Sequence, residues 1–440
     1  MLAVNPQHDP YATLRVAQYR WLLLAFAAAQ TGLGIKVVAL GWDVYQRTGQ
    51  AFGLAVLGLV QVIPAVLLFL PAGYVADRWP RKHISVVSSA LVSLSTMVLA
   101  WASWSGAPTW LIYVLLACES AAVSFNKPAR AALLAQAVPR HLFENSVAWR
   151  TGCVQTAAIC GPALGGLILS ASLPAAYLAS AVLSMLYCLV LSGLSIGQTT
   201  PSASGAHTSG ALKGVHFLMH HRVLGSAILL DLLTVMMGGA LYLLPIYARD
   251  ILAVGEQGLG WLRAAPAVGA LCMAIFLAHR PPMRQAGRSM LLAVACYGAA
   301  TTAFGFSTSF WCSLVLLFFV GAFDNVTMVV RHTMIQSLTP HHMWGRVSAV
   351  SLFAAGTAND LGGVESGLVA QWFGPMASVV TGGLGAVILA GCATLRMPWL
   401  RKVTALHVAE SDADKTASPA ANDSAFTRPV PSPPPAATCC

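Results

Sequence analysis

Gly73-Tyr-Val-Ala-Asp77-Arg78-Trp-Pro-Arg81-Lys82 is the stretch on which the fold turns. It is a short charged loop between two apolar runs, residues 51–76 and 84–105. Each run is long enough to cross a bilayer, and the cations Arg78, Arg81 and Lys82 hold the loop at one membrane face. Gly73 permits close helix approach as the first run ends. Asp77 is a carboxylate beside helix termini, where an N-terminal helix dipole favours negative charge.

The same alternation of apolar run and short loop extends in both directions. Of 440 residues, 57% are hydrophobic and 9% charged, and the mean hydropathy is +0.70. A soluble domain carries about 25% charged residues, so a soluble globular protein is excluded. Disorder is excluded by the apolar content, and an outer-membrane barrel by the lack of long alternating strands. An all-α membrane protein remains. Spans are predicted near 21–45, 51–76, 84–105, 108–128, 144–170, 174–195, 222–248, 256–279, 287–307, 309–331, 345–372 and 375–397, twelve in all. The first run, behind Arg15 and Arg20, is too long for a signal core and contains Gln30 and Lys36, so it reads as a permanent span. Residues 1–17 form an N-terminal segment, 18–197 and 215–400 two six-helix bundles, 198–214 a small polar linker, and 401–440 a Ser-, Ala- and Pro-rich disordered tail.

Charge sets the orientation. One set of loops and helix ends holds seventeen Lys and Arg, from Arg15 to Lys402, and the other only Arg47 and Arg249. Basic loops collect on the inner side. Both termini are therefore expected to be cytoplasmic, in the cell (inner) membrane. The net charge of +10 then reflects lipid orientation, with no nucleic-acid partner.

The halves repeat each other. A shift of 202 carries Tyr45-Gln46-Arg47 onto Tyr247-Ala248-Arg249 and Pro64-Ala65-Val66 onto Pro266-Ala267-Val268. A shift of 201 carries Arg130 onto Arg331, Pro139 onto Pro340 and Gly161 onto Gly362. Six spans is an even number, so both copies start on the same side. This predicts two bundles related by a pseudo-twofold along the membrane normal, with a substrate site between them.

Gly73, Asp77, Arg78, Arg81 and Lys82 in this spacing resemble the signature loop of the major facilitator superfamily. The resemblance covers residues 18–400. It implies that Asp77, Arg78 and Arg81 belong to a charge network latching the halves on the cytoplasmic side. The second copy departs from the pattern, with His279 in place of the Asp. On the fifth span, Ala157-Ala-Ile-Cys-Gly161-Pro162-Ala-Leu-Gly165-Gly166 supplies small residues for close packing and a proline that bends the helix. It is similar to the superfamily's export-associated motif, with Ala157 where a Gly is usual. Trp42-Asp-Val-Tyr45-Gln-Arg-Thr48-Gly49 and Asn126-Lys-Pro128-Ala-Arg130 resemble the enterobactin-exporter branch, whose members export siderophores or are labelled multidrug efflux proteins.

Charges inside the membrane are the functional candidates, each costing roughly 2.5–3.5 kcal/mol unless paired or hydrated. These are Lys36 on span one, Glu119 on span four, Asp231 on span seven, Asp324 on span ten, and Asp360 and Glu365 on span eleven. The resemblance implies that spans one, four, seven and ten line the central cavity. A desolvated carboxylate can exchange a proton near neutrality, and Glu119 and Asp324 are the leading proton or cation sites. Lys36 is placed to pair with a carboxylate or to attract an anionic substrate. The competing reading of each residue is a structural ion pair.

Ten cysteines show neither zinc spacing nor a disulfide framework, and Gly193-Leu-Ser195-Ile-Gly197 ends a span with no strand before it. No G-x-x-x-x-G-K-[ST] loop occurs, so energy is expected from an ion gradient or the substrate's own gradient. The expectation is a monomeric secondary transporter, not an enzyme, without cofactor or metal, exporting an amphipathic small molecule such as a siderophore or drug in exchange for protons. The alternatives are a facilitator or importer of a small metabolite, or a non-transporting sensor of the same fold.

Overall fold

The computed structural model describes residues 11–136, 138–139, 142–194, 207–281 and 285–401, of which 70, 76–77, 131–132, 134–136, 144, 207–213 and 341–342 are described by backbone alone. The helices of the first half are α1 (Ala17–Thr48), α2 (Ala51–Arg78), α3 (Arg81–Trp104), α4 (Thr109–Gln136), α5 (Phe143–Ala171) and α6 (Leu173–Gly193). A short helix, α7 (His207–His220), precedes the second half. There, α8 (Arg222–Met237) continues through a 3-10 turn (Gly239–Tyr242), α9 (Leu244–Ile246) and a π turn (Tyr247–Ile251). Next come α10 (Gly255–Ala278), α11 (Ala286–Phe306), α12 (Phe310–Leu338), α13 (His341–Phe373), α14 (Pro375–Arg396) and the terminal α15 (Pro398–Arg401). Among the described residues there is no strand.

Among the described residues, eleven segments are long and apolar enough to cross a membrane, with Arg222–Ile251 as one of them. The twelfth long helix, α13, has 33 residues and is set apart by Arg346, Asp360 and Glu365. The chain is an all-α multi-pass membrane protein. Residues 198–206 of the expected linker and 402–440 of the expected tail lie outside the described residues, and 207–214 belong to α7.

Sharp turns at helix ends keep the loops short. Gly49 closes α1 at φ 62°, its N–H bonded to the Tyr45 carbonyl at 2.9 Å, a left-handed position that glycine fills without strain. Exposed tryptophans gather at the helix ends. Trp104, Trp110, Trp311 and Trp372 stand at one end, and Trp21, Trp79, Trp344 and Trp399 at the other, basic end. Indole rings favour the two membrane–water boundaries.

Packing partners repeat between the halves. The first helix lies on the fifth and sixth, the second on the fourth, and the third on the fourth and sixth. Likewise α8 lies on α13 and α14, α10 on α12, and α11 on α12 and α14. Two seams join the halves, α2 with α13 and α5 with α10, and the same twofold exchanges them.

The apolar core is divided unequally. At the end away from the basic loops, one cluster crosses both halves, running from Ile35, Tyr45, Leu54 and Tyr177 to Leu244, Tyr247, Leu262 and Phe304. At the basic end the two largest clusters are separate. One surrounds Tyr19, Leu22, Phe26 and Tyr187 in the first half, and the other Leu224, Leu230, Met290 and Met334 in the second. The halves thus share one core at one end and keep separate cores at the other, where Phe69 of α2 still stacks on Phe353 of α13.

Candidate functional site

The α5 glycines hold the fused end together. A β-carbon on Gly161 would stand 2.9 Å from Cα of Gly34 on α1, and one on Gly165 3.0 Å from Cα of Ile35. Across the seam, a β-carbon on Gly166 would come within 2.8 Å of Cα of Gly260, and one on Gly260 within 2.7 Å of the Pro162 carbonyl. The motif therefore seats α5 against α1 and α10 at once. Hydrogen bonds add to the closure: Tyr45 Oη donates to Asp250, the Phe52 amide to Gln371 Oε1 at 3.1 Å, and Gln257 Nε2 to Ser170 Oγ at 3.1 Å. Below Tyr45, Arg47 Nε meets Asp43 Oδ1 at 2.5 Å, and Tyr177 Oη donates to Asp43 Oδ2 at 3.0 Å.

The residues of the expected latch lie at the basic end. Gly73 has no atom within 4 Å of where its β-carbon would sit. The close helix approach expected at this glycine is absent. The Asp77 side chain lies outside what is described. The Arg78 guanidinium lies 4.0 Å from the Tyr74 ring centroid, and among the described residues neither Arg78 nor Arg81 forms an ion pair. Lys82 Nζ donates to the Ser192 and Leu194 carbonyls at 2.8 and 2.7 Å, tying α3 to the end of α6.

Near mid-height, α1 and α4 are bridged by Lys36 Nζ and Glu119 Oε1. Both residues are 4% exposed, and Glu119 Oε2 is buried without a partner. Apolar neighbours on the same helices, Ile35 and Leu116, belong to the shared core. A charge pair removed from water in this way persists only while both members are present.

The second half is built differently. Asp231 of α8 pairs with Arg331 of α12, again fully buried, with Arg331 Nε left unpartnered. Sequence reading assigns Arg331 to the basic helix ends, whereas the structure draws it into the bundle onto Asp231. Asp324, two turns before Arg331 on the same face of α12, is partly exposed. No hydrogen bond or ion pair reaches its carboxylate among the described residues, although Asp231, Arg331 and Tyr297 lie within electrostatic reach. Asp324 and Glu119, expected as counterparts, therefore have unlike surroundings, one unpartnered and one salt-bridged.

Asp360 sits on α13 beside the broken seventh span, where Tyr242 Oη donates to Asp360 Oδ1 at 2.7 Å. On the 3-10 turn, the Leu241 carbonyl receives Arg263 Nη1 at 2.7 Å. Glu365 accepts from Ser366 Oγ at 3.2 Å. From the first half, the exposed Lys127 reaches towards α13, its Nζ 4.0 Å from where a β-carbon on Gly356 would sit. Lys127 lies within electrostatic reach of Asp360.

One relationship escaped sequence reading. Arg130 Nη1 donates to Gln30 Oε1 at 3.3 Å, joining α4 to α1. The residues of this pair are 100 apart, as are Asp231 and Arg331. The 201-residue shift carries Gln30 onto Asp231 as well as Arg130 onto Arg331. The signal was present for the arginines, but a Gln–Asp match does not stand out in a sequence comparison.

Comparison with known proteins agrees with this architecture. A family model described as transmembrane secretion effector matches residues 8–424. The multidrug efflux pump Tap of Mycobacterium tuberculosis is 28% identical over 414 residues, covering 89% of this chain and 96% of the pump. The enterobactin exporter EntS of Escherichia coli is 24% identical, covering 87% of this chain and 92% of the exporter. Among solved structures, a mutant of the nucleoside transporter NupG matches with a TM-score of 0.69 at 13% identity, over 86% of this chain and 99% of that one. A bacterial homologue of the lysosomal transporter Spinster, inward-facing and occupied, matches at 0.68 and 14% identity, over 88% and 97%.

Proposed function

The chain belongs to the transmembrane secretion effector family of major facilitator superfamily transporters, and from that premise we propose a proton-driven exporter of an amphipathic small molecule, working as a monomer by alternating access. The moving units are residues 18–197 and 215–400, joined by 198–214, with both termini on the cytoplasmic side of the inner membrane. The observation that carries the reading is the unequal core, fused across the halves at one end and split at the basic end. Two rigid bundles joined at one end form a hinged vessel open at the other, and a rocking motion exchanges the ends.

Export is favoured by the names of the relatives, a multidrug efflux pump and a siderophore exporter. A proton is the natural coupling ion because Asp324 is a carboxylate inside the membrane without a cation bound to it. Its charge is costly there and is relieved by protonation. Binding of proton or substrate then biases the balance between the two openings through differential affinity.

Everted membrane vesicles carrying the full chain test this, with a pH gradient imposed and either ethidium or a catecholate siderophore as cargo. Cargo accumulates inside and is released when the gradient is collapsed. Accumulation that ignores collapse of the gradient refutes proton exchange, and absence of any flux favours the sensor reading.

A further inference from the structure

The second half shows what fills the position that Gln30 occupies in the first. There, a carboxylate of α8, Asp231, lies against Arg331 of α12. In the first half the equivalent arginine, Arg130, meets only the neutral amide oxygen of Gln30, at 3.3 Å. Its guanidinium also stands 5.0 Å from the Phe26 ring centroid. Arg150 of α5 and Tyr187 of α6 lie within electrostatic reach. Among the described residues no carboxylate lies within ion-pair distance of Arg130 or Arg150. Exposure differs in the same sense: Asp231 and Arg331 are buried, whereas Gln30, Arg130 and Arg150 are all partly exposed.

We propose that Arg130, Gln30 and Arg150 form a subsite for a carboxylate carried by the transported molecule, which takes the place that Asp231 holds in the second half. The inference rests on the transport reading above. A guanidinium offers a planar fork that matches a carboxylate with two parallel hydrogen bonds. The Gln30 amide accepts from Arg130 through its oxygen and keeps its NH2 group for the same anion. Ala29 and Val154, partly buried against the adjoining core, supply apolar surface for the rest of an amphipathic ligand. The first half thus has an open anion site, and in the second half the equivalent arginine is already met by that half's own carboxylate. Cargo with an acidic group is selected by the first bundle.

Two probes that differ only in charge test the subsite. Dansylglycine and dansylglycinamide are titrated into the purified full chain in detergent, with binding followed by fluorescence anisotropy. Dansylglycine is expected to bind at least tenfold more tightly. Gln30→Asp supplies the internal carboxylate found in the second half and should erase that preference by weakening dansylglycine at least tenfold. Arg130→Gln should erase it too. Equal binding of the two probes to the wild type, no binding of either, or undiminished dansylglycine binding by Gln30→Asp overturns the proposal. Ethidium flux in everted vesicles separates the two readings. Gradient-driven flux without carboxylate preference removes the subsite alone. Carboxylate preference without flux removes the transport reading alone.

Discussion

The Tyr45 hydroxyl donates to the Asp250 carboxylate, one residue from each half, at the end where the bundles are fused. Arg249 stacks 5.6 Å from the same tyrosine ring and lies 3.7 Å from Asp250. The three residues form a small clasp on the far side from the basic loops. Opening that end must break it.

Tyr45→Phe removes the donor and keeps the ring. A hydrogen bond of this kind contributes about 0.5–1.5 kcal/mol, and Asp250 is partly exposed, so the lower part of that range applies. The population open at the Tyr45 end should rise roughly two- to fivefold. Thiol labelling of a cysteine placed at Gly41, beneath the clasp, reports it. Unchanged labelling would show that the clasp carries no conformational energy.

Gly166→Ala places a methyl against the backbone of α10. The contacting atoms are the Glu256 carbonyl at 2.7 Å and Gly260 Cα at 2.8 Å, neither of which can swing aside. Overpacking of this kind costs about 1–3 kcal/mol, and only in the state where α5 and α10 touch here. Flux should fall while the opposite opening gains population. Gly73→Ala, where the β-carbon meets nothing within 4 Å, should leave melting temperature unchanged. Comparing the two melting temperatures and labelling patterns checks both.

Lys36→Met strands the Glu119 carboxylate in an apolar seam, and Glu119→Leu strands the ammonium. Removing one member of a buried pair costs about 3–5 kcal/mol. The double variant Lys36→Met/Glu119→Leu leaves neither charge and should melt above both single variants. Fluorescence-detected melting of the purified proteins gives the cycle. Additive losses would show that the pair is uncoupled.

Asp324→Asn and Asp231→Asn should differ in kind. Among the described residues Asp324's carboxylate has no bound partner, so neutralising it leaves melting temperature unchanged or raised, while gradient-driven accumulation stops and downhill exchange of cargo persists. Asp231 holds Arg331, so Asp231→Asn lowers the melting temperature. If Asp324→Asn still accumulates cargo against the gradient, the proton is carried elsewhere.

Much of the fold was legible because the bilayer makes hydropathy decisive. The predicted span 144–170 became α5, Phe143–Ala171, and 375–397 became α14, Pro375–Arg396. Short loops and turn glycines left little freedom at the boundaries. Residue pairing was far less legible. Lys36 was recognisable as a candidate for pairing, but nothing in sequence spacing selects Glu119, 83 residues away, over other carboxylates. Arg331 reads as an inward-side cation because apolar patterning blurs where a span ends, and α12 runs on to Leu338. Gly73 was read as a packing glycine from its setting alone. Whether a helix stands against it depends on which end of the molecule is open.

The continuous core at the Tyr45 end makes the two openings energetically unequal. Parting it would wet the apolar surface where α5 meets α10 and α1 meets α9 and α10, and wetted apolar surface is unfavourable in proportion to its area. The molecule at rest therefore waits with its basic mouth agape. For an exporter in the proposed orientation, that is the posture of a loader facing the cytosol, and the costly stroke is the outward opening that delivers the cargo.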